Sequence, residues 1–197
     1  MIVWETVNAT LDPALRQKVL EGSLCSAQCP NCKQSIEFES DLLYHDMDRK
    51  FMLSLIRSER AAPFKVDTKF LERVGGMTPK HRLRFVTSYN QLREKISIFE
   101  AGLNDFAVEL VKMLVWETKF PEKPITDDSM YFCTLDQQTP EPPRLTLECY
   151  EAGKPLAHIR VPYSTYAQIL SNPKAEKLRA YRLGEWILVN QSNLYQL

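Results

Sequence analysis

The sequence predicts an α+β protein in three stretches: β-hairpins around a cysteine turn, a pair of α-helices, and a C-terminal antiparallel β-plus-helix region. Three observations carry this. Short extended runs flank a Cys-Pro-Asn-Cys turn at residues 29–32. Apolar residues recur at helical spacing from Leu92 to Leu114, interrupted by Gly102. From Met130 onward, extended runs alternate with turns that contain proline or glycine.

Residues 2–7 are apolar and β-branched enough for a strand. Asp12-Pro13 then supplies an N-cap and a proline at the first helical position, starting a helix over 13–21 that Gly22 stops. After Cys32, Ile36 and Phe38 alternate with Glu37 and Glu39, the pattern of a half-buried strand, and Phe51–Ile56 forms a second extended run. Residues 57–80 read as a linker with a short helix at 68–74. Arg82–Ser88 alternates Leu83, Phe85 and Thr87 with arginines, as a strand does. Leu92, Ile96 and Phe99 mark a helix ending at Gly102; Asn104 caps the next, which carries Phe106, Leu110, Met113 and Leu114. Strands follow at 130–135, 145–150 and 156–161, the last two joined by the Glu151-Ala152-Gly153-Lys154 turn. Ser164 caps a short helix through Leu170, a polar helix spans 175–182, and Trp186–Val189 forms a closing strand. The composition shift at 119–128 divides the chain into residues 1–122 and residues 123–197. The first of these comprises a zinc-ribbon-like segment over 1–56 and a helical segment over 88–118.

The 197 residues suffice for a substantial core, and 44% of them are hydrophobic. Lys+Arg and Asp+Glu balance at 25 each, which removes the simplest electrostatic case for a nucleic-acid or membrane-surface partner. The charge is uneven, however: residues 1–48 carry three basic and eight acidic groups, and residues 49–119 carry fourteen and eight. The amino terminus has no basic leader and no run approaches membrane-spanning length, so a cytoplasmic protein is expected. Five cysteines, an odd number, fit a reducing compartment better than a disulfide framework.

A Cys-x-x-Cys turn is half of a tetrahedral zinc site, because a closed shell takes four ligands and two such turns commonly supply them. Cys29 and Cys32 are therefore the candidate metal ligands, and zinc the candidate cofactor. Four completions are open: a half-site without its partner, a site closed within the chain by Cys25, His45, Cys133 or Cys149, a site shared with a second chain, or redox chemistry instead of metal binding. The redox reading needs Cys29 at a helix N-terminus, whereas a strand follows Cys32. Cys25, Cys133 and Cys149 read as packed thiols. His45 is the one histidine flanked by carboxylates, Asp46 and Asp48.

The phrases "VWETVNATLDPALRQKVLEGSL", "CPNC", "LLYHDMDRKFM" and "NQLREKISIFEAGLNDFAVELVK" resemble the CpXC family over residues 3 to 118. This is a bacterial and archaeal group named for two Cys-Pro-x-Cys motifs to which zinc binding is ascribed. The resemblance implies zinc-ribbon-like hairpins and maps Cys29 and Cys32 onto the second motif. The first would precede Val3 and is expected to be lacking from this chain. The family implies no reaction, substrate or partner.

Phosphate-binding, dinucleotide-binding, nucleophile-elbow and zinc-protease motifs are absent from the sequence. Glu94, Glu100 and Asp105 read as helix-surface ion pairs. The expected function is therefore a non-catalytic macromolecular interaction module, with a protein partner or self-association favoured over nucleic acid. One alternative is nucleic-acid binding through the basic cluster Lys80, His81, Arg82 and Arg84. Another is a thiol-disulfide oxidoreductase using Cys29 and Cys32.

Overall fold

The structure is a computed structural model and describes residues 4–24, 26–29, 31–32, 34–37, 40–56, 73, 76–137, 141–172 and 183–194. The linker helix at 68–74 falls almost entirely outside them, and so do the polar helix at 175–182 and Cys25. The architecture is mixed α+β, as expected. The chain forms two compact units, residues 1–93 with 182–187, and residues 94–181 with 188–197. The expected boundary near 119–128 falls inside the second unit. The second helix of the hairpin packs with the C-terminal elements, because its apolar surface is wider than its helical partner alone can cover.

In the first unit, β1 (Thr6–Asn8) leads to α1 (Pro13–Glu21). The Asp12 carboxylate accepts from Leu15 N at 3.2 Å and Gly22 ends the helix at φ 76°, so both predicted caps form. Leu15 and Val19, four residues apart, are buried. A hairpin of β2 (Ser26–Gln28) and β3 (Ser35–Glu37) forms its own two-stranded sheet. β4 (Leu42–Asp46), β5 (Phe51–Leu55) and β6 (Arg82–Val86) join β1 and β10 (Trp186–Leu188) in a five-stranded sheet ordered β1-β4-β5-β6-β10.

The β1–β4 and β5–β6 pairs are parallel. A parallel neighbour needs a long crossover, and residues 57–80 are long enough to make one. The second hairpin, β4–β5, is therefore part of a mixed sheet and carries no cysteine, unlike the second hairpin of a ribbon. Leu42, Tyr44, Phe51, Leu53, Leu55 and Val86 come into register on one buried face, where Tyr44 stacks on Phe51 with ring centroids 5.9 Å apart. Each fully buried side chain of this kind contributes roughly 1.5–3 kcal/mol.

α2 (Tyr89–Glu100) runs from the first unit into the second, followed by α3 (Asp105–Lys119). Gly102 lies at φ 70°, and the Asn104 side chain accepts from Ala107 N at 3.1 Å, so glycine and cap together make the expected turn. Leu92, Ile96 and Phe99 are buried as their spacing requires. On α3 the buried apolar residues include Phe106, Val108, Val111, Val115 and Trp116, whereas Leu114 is exposed.

β7 (Met130–Asp136), β8 (Arg144–Glu151) and β9 (Lys154–Pro162) form an antiparallel sheet, with Leu145, Leu147 and Cys149 buried on alternate positions. α4 (Tyr163–Ser171) starts after Pro162 without a side-chain cap, so Ser164 does not cap it. Its Tyr166 Oη accepts from Asn104 N at 2.8 Å and ties α4 to the start of α3. A short α5 (Gln191–Leu194) follows β10. No described helix is long and apolar enough to cross a membrane.

Candidate metal centre

The cysteine turn closes the β2–β3 hairpin. Its register runs Ser26 with Glu37, Ala27 with Ile36 and Gln28 with Ser35, and Cys29 N then donates to Gln34 O at 2.8 Å. This last bond folds the chain sharply between Cys29 and Gln34 and brings both cysteines to the tip. Cys29 is half-buried and Cys32 exposed, and both are free thiols. The backbone N–H of Cys32, then that of Asn31, then the Cys32 side chain donate to the Cys29 sulfur and lower its pKa from the ordinary thiol value. Cys32 Sγ in turn lies 3.7 Å from Gln34 Oε1. Turn amides aimed at sulfur stabilise a thiolate, the form that both ligates metal and attacks disulfides. The redox reading called for a helix N-terminus; here the amides of a hairpin turn act on the sulfur instead, in the same direction.

Two thiolates of this kind fit half of a tetrahedral zinc shell. Among the described residues, no three or more histidine, cysteine or carboxylate side chains converge in a metal-holding group. Cys133 sits at a bulge in β7, half-buried. Burial first, and then the nearby Glu148, pushes its thiol up to about 12. Cys149 is buried and its pKa is likewise raised by burial. Both are held as thiols. His45 lies on β4, where its ring meets that of His81.

The basic cluster expected near β6 is not a continuous surface. Arg84 is completely buried, its Nη1 donating to Leu83 O at 3.0 Å, and Arg82 is half-buried with Nη2 3.4 Å from Arg49 O. Arg84 comes into register with Leu53 and Tyr44 on the core face, so a strand that alternates arginine with apolar residues has put an arginine inside. This removes Arg84 from the four-residue cluster that supported nucleic-acid binding.

Glu94 and Asp105 are likewise not surface residues. With Lys95, Glu109 and Lys112 they form an ion network in the α2–α3 hairpin, each side chain at most 3% exposed. Lys95 Nζ lies 2.8 Å from Glu109 and 3.9 Å from Asp105; Lys112 Nζ lies 3.0 Å from Glu94 and 2.7 Å from Glu109. Glu94 also accepts from Phe132 N at 2.7 Å, joining β7 to α2. The signal was present in the sequence, since Lys95 falls within the Leu92–Ile96–Phe99 stripe. A further feature not anticipated from sequence is an open groove of about 940 Å³ on the β7–β9 sheet, lined by Thr134, Asp136, Thr146, His158 and Arg160 among others.

A family model described as CpXC protein matches residues 1–112. No curated protein and no solved structure matches the chain.

Proposed function

The chain belongs to the CpXC family, and from that premise we propose that it is a non-catalytic interaction module whose Cys29–Cys32 hairpin takes zinc in a site shared with a second copy of the chain. The observation that carries this is the exposed hairpin tip, where turn amides hold Cys29 toward the thiolate and Cys32 faces solvent. Two copies of the tip, related by a two-fold axis, supply four thiolates and close the shell. Such a site requires free thiols, which a reducing cytoplasm provides.

The test is zinc content by plasma mass spectrometry together with molar mass by light scattering. A dimer that EDTA dissociates is expected, and C29S/C32S should be a monomer that holds half a zinc per chain less than the parent. A monomer with one zinc, or zinc content unchanged by the double substitution, overturns the shared site.

Thiol-disulfide exchange is a second reading, favoured by the lowered Cys29 pKa beside an exposed partner thiol. Insulin reduction that is lost in C29S and suppressed by zinc would select it.

A further inference from the structure

His45 and His81 share no residue with the cysteine hairpin and come from elements far apart in the chain. β4 puts His45 in register with Met52 on β5, and Met52 in turn faces Leu83 on β6. His81 directly precedes β6 and its backbone is held on both sides. Its N–H donates to Thr78 O, its carbonyl accepts from Gly184 N, and the next amide, Arg82 N, donates to Lys50 O, each at 2.9 Å.

The two rings stand with centroids 5.3 Å apart and planes inclined at 54°. His45 Nε2 and His81 Nδ1 are withdrawn from solvent, and neither has a hydrogen-bond partner among the described residues. A buried nitrogen without a hydrogen-bond partner is costly, and ring-against-ring contact does not supply the missing bond. A shared metal ion would satisfy both. With metal–nitrogen bonds of about 2.0–2.1 Å, two imidazoles on one tetrahedral ion have centroids roughly 5 Å apart, close to the observed separation.

We propose that His45 and His81 form a two-histidine site for an imidazole-preferring divalent transition ion, such as nickel(II), copper(II) or zinc(II), with solvent filling the remaining positions. Imidazole suits these ions. The surrounding charges are mixed: Asp46 beside His45 favours a cation, whereas Lys50 beside His81 opposes one. Burial lowers the pKa of both rings, with smaller contributions from His81 at His45 and from Lys50 at His81. Both imidazoles are therefore neutral at pH 7, with ring lone pairs open to a metal.

Calorimetric titration with nickel(II) chloride tests the site in the full chain, in C29S/C32S, and in H45Q and H81Q made on that cysteine-free-tip background. One nickel per chain is expected in C29S/C32S, weakened by about tenfold or more in either histidine variant. Should a histidine variant unfold, the imidazole ¹⁵N resonances of C29S/C32S during zinc(II) addition decide the matter. His45 Nε2 and His81 Nδ1 should shift together, while exposed His158 stays in place. No binding to C29S/C32S, binding that survives both glutamine substitutions, or a shift confined to His158 overturns the proposal.

Discussion

Lys95 and Glu109 meet at 2.8 Å across the α2–α3 hairpin, with only 2% of either side chain exposed. Burying separate charges costs several kcal/mol each, so such a pair survives only where its partners are complete. Here they interlock: Glu109 faces both ammoniums, and Lys112 faces both Glu109 and Glu94. The network joins two helices and, through Phe132 N, a strand, so it fixes how those elements align as well as contributing to their stability.

Removing one member strands the others. Lys112→Met should destabilise the protein by about 3–5 kcal/mol, because Glu94 is left without its ammonium and Glu109 keeps only Lys95. Glu117→Gln, on the exposed side of α3, should stay within about 0.5 kcal/mol of the parent. Urea denaturation of both variants measures the contrast. A Lys112→Met midpoint equal to that of Glu117→Gln would show that the network is solvated.

The two glutamates should respond to pH with opposite signs. Burial raises the Glu109 pKa, but the ammoniums, Lys112 first, outweigh it, and the net shift is downward from 4.5. Its stabilisation is therefore present above pH 4.5 and lost as the pH falls through the folded value. At Glu94, burial exceeds the pull of Lys112 and the repulsion of Glu109 adds to it, so the net shift is upward from 4.5. Its contribution is present below pH 4.5 and lost as the pH rises through the folded value. Relative to the parent chain, E109Q should thus improve and E94Q should worsen on acidification from pH 6 to pH 4. Urea midpoints across that range check this, and parallel slopes would contradict the assignment. Lys112 lies above 10.5, so its own contribution persists until the pH rises beyond that value.

How much of this was legible in the sequence depended on how local the cause was. Asp12, Gly22, Gly102 and Asn104 act on their own backbone within a few residues, and the helix ends they mark are where they were expected. β4 and the parallel β5–β6 pair depend on partners supplied from far along the chain, which spacing does not encode. Glu94 and Arg84 were misread, and Lys95 beside Glu94 was passed over, for a related reason. A charge inside an apolar stripe looks like a solvated face until a partner 14 residues on, such as Glu109, is seen to neutralise it. The Cys29–Cys32 turn was legible as a candidate ligand pair, because spacing alone defines it, and the structure places both free thiols at one hairpin tip. What completes its shell depends on contacts outside the motif.

The β8–β9 turn offers a stabilising change. Glu151 pairs with Lys154, leaving Ala152 and Gly153 as a two-residue loop at φ 49° and 74°. Left-handed backbone suits glycine but costs an alanine about 1–2 kcal/mol, which asparagine partly avoids. Ala152→Asn should therefore stabilise the protein by about 0.5–1 kcal/mol, read as a higher urea midpoint with an unchanged slope. A lower midpoint would mean that the turn is not of this type.

Thiol reactivity should separate the cysteines according to their surroundings. Alkylation proceeds through the thiolate, so at pH 7 the rate follows the thiolate fraction, moderated by the weaker nucleophilicity of a more acidic thiol. Cys29 has its pKa lowered by turn amides at a hairpin tip, whereas Cys133 is pushed up to about 12 and Cys149 is raised by burial. Iodoacetamide followed by peptide mapping should find Cys29 modified more than about tenfold faster than either. Cys133 and Cys149 should react only once denaturant opens the β7–β9 sheet, because the barrier there is access as well as charge. Prior addition of zinc should protect Cys29 and Cys32 together if the proposed ion sits on both sulfurs, and leave Cys133 and Cys149 unchanged. Equal rates at Cys29 and Cys149 in the native chain would show that the amides do not reach the sulfur. Protection of Cys29 without Cys32 would show that the pair does not bind as a unit.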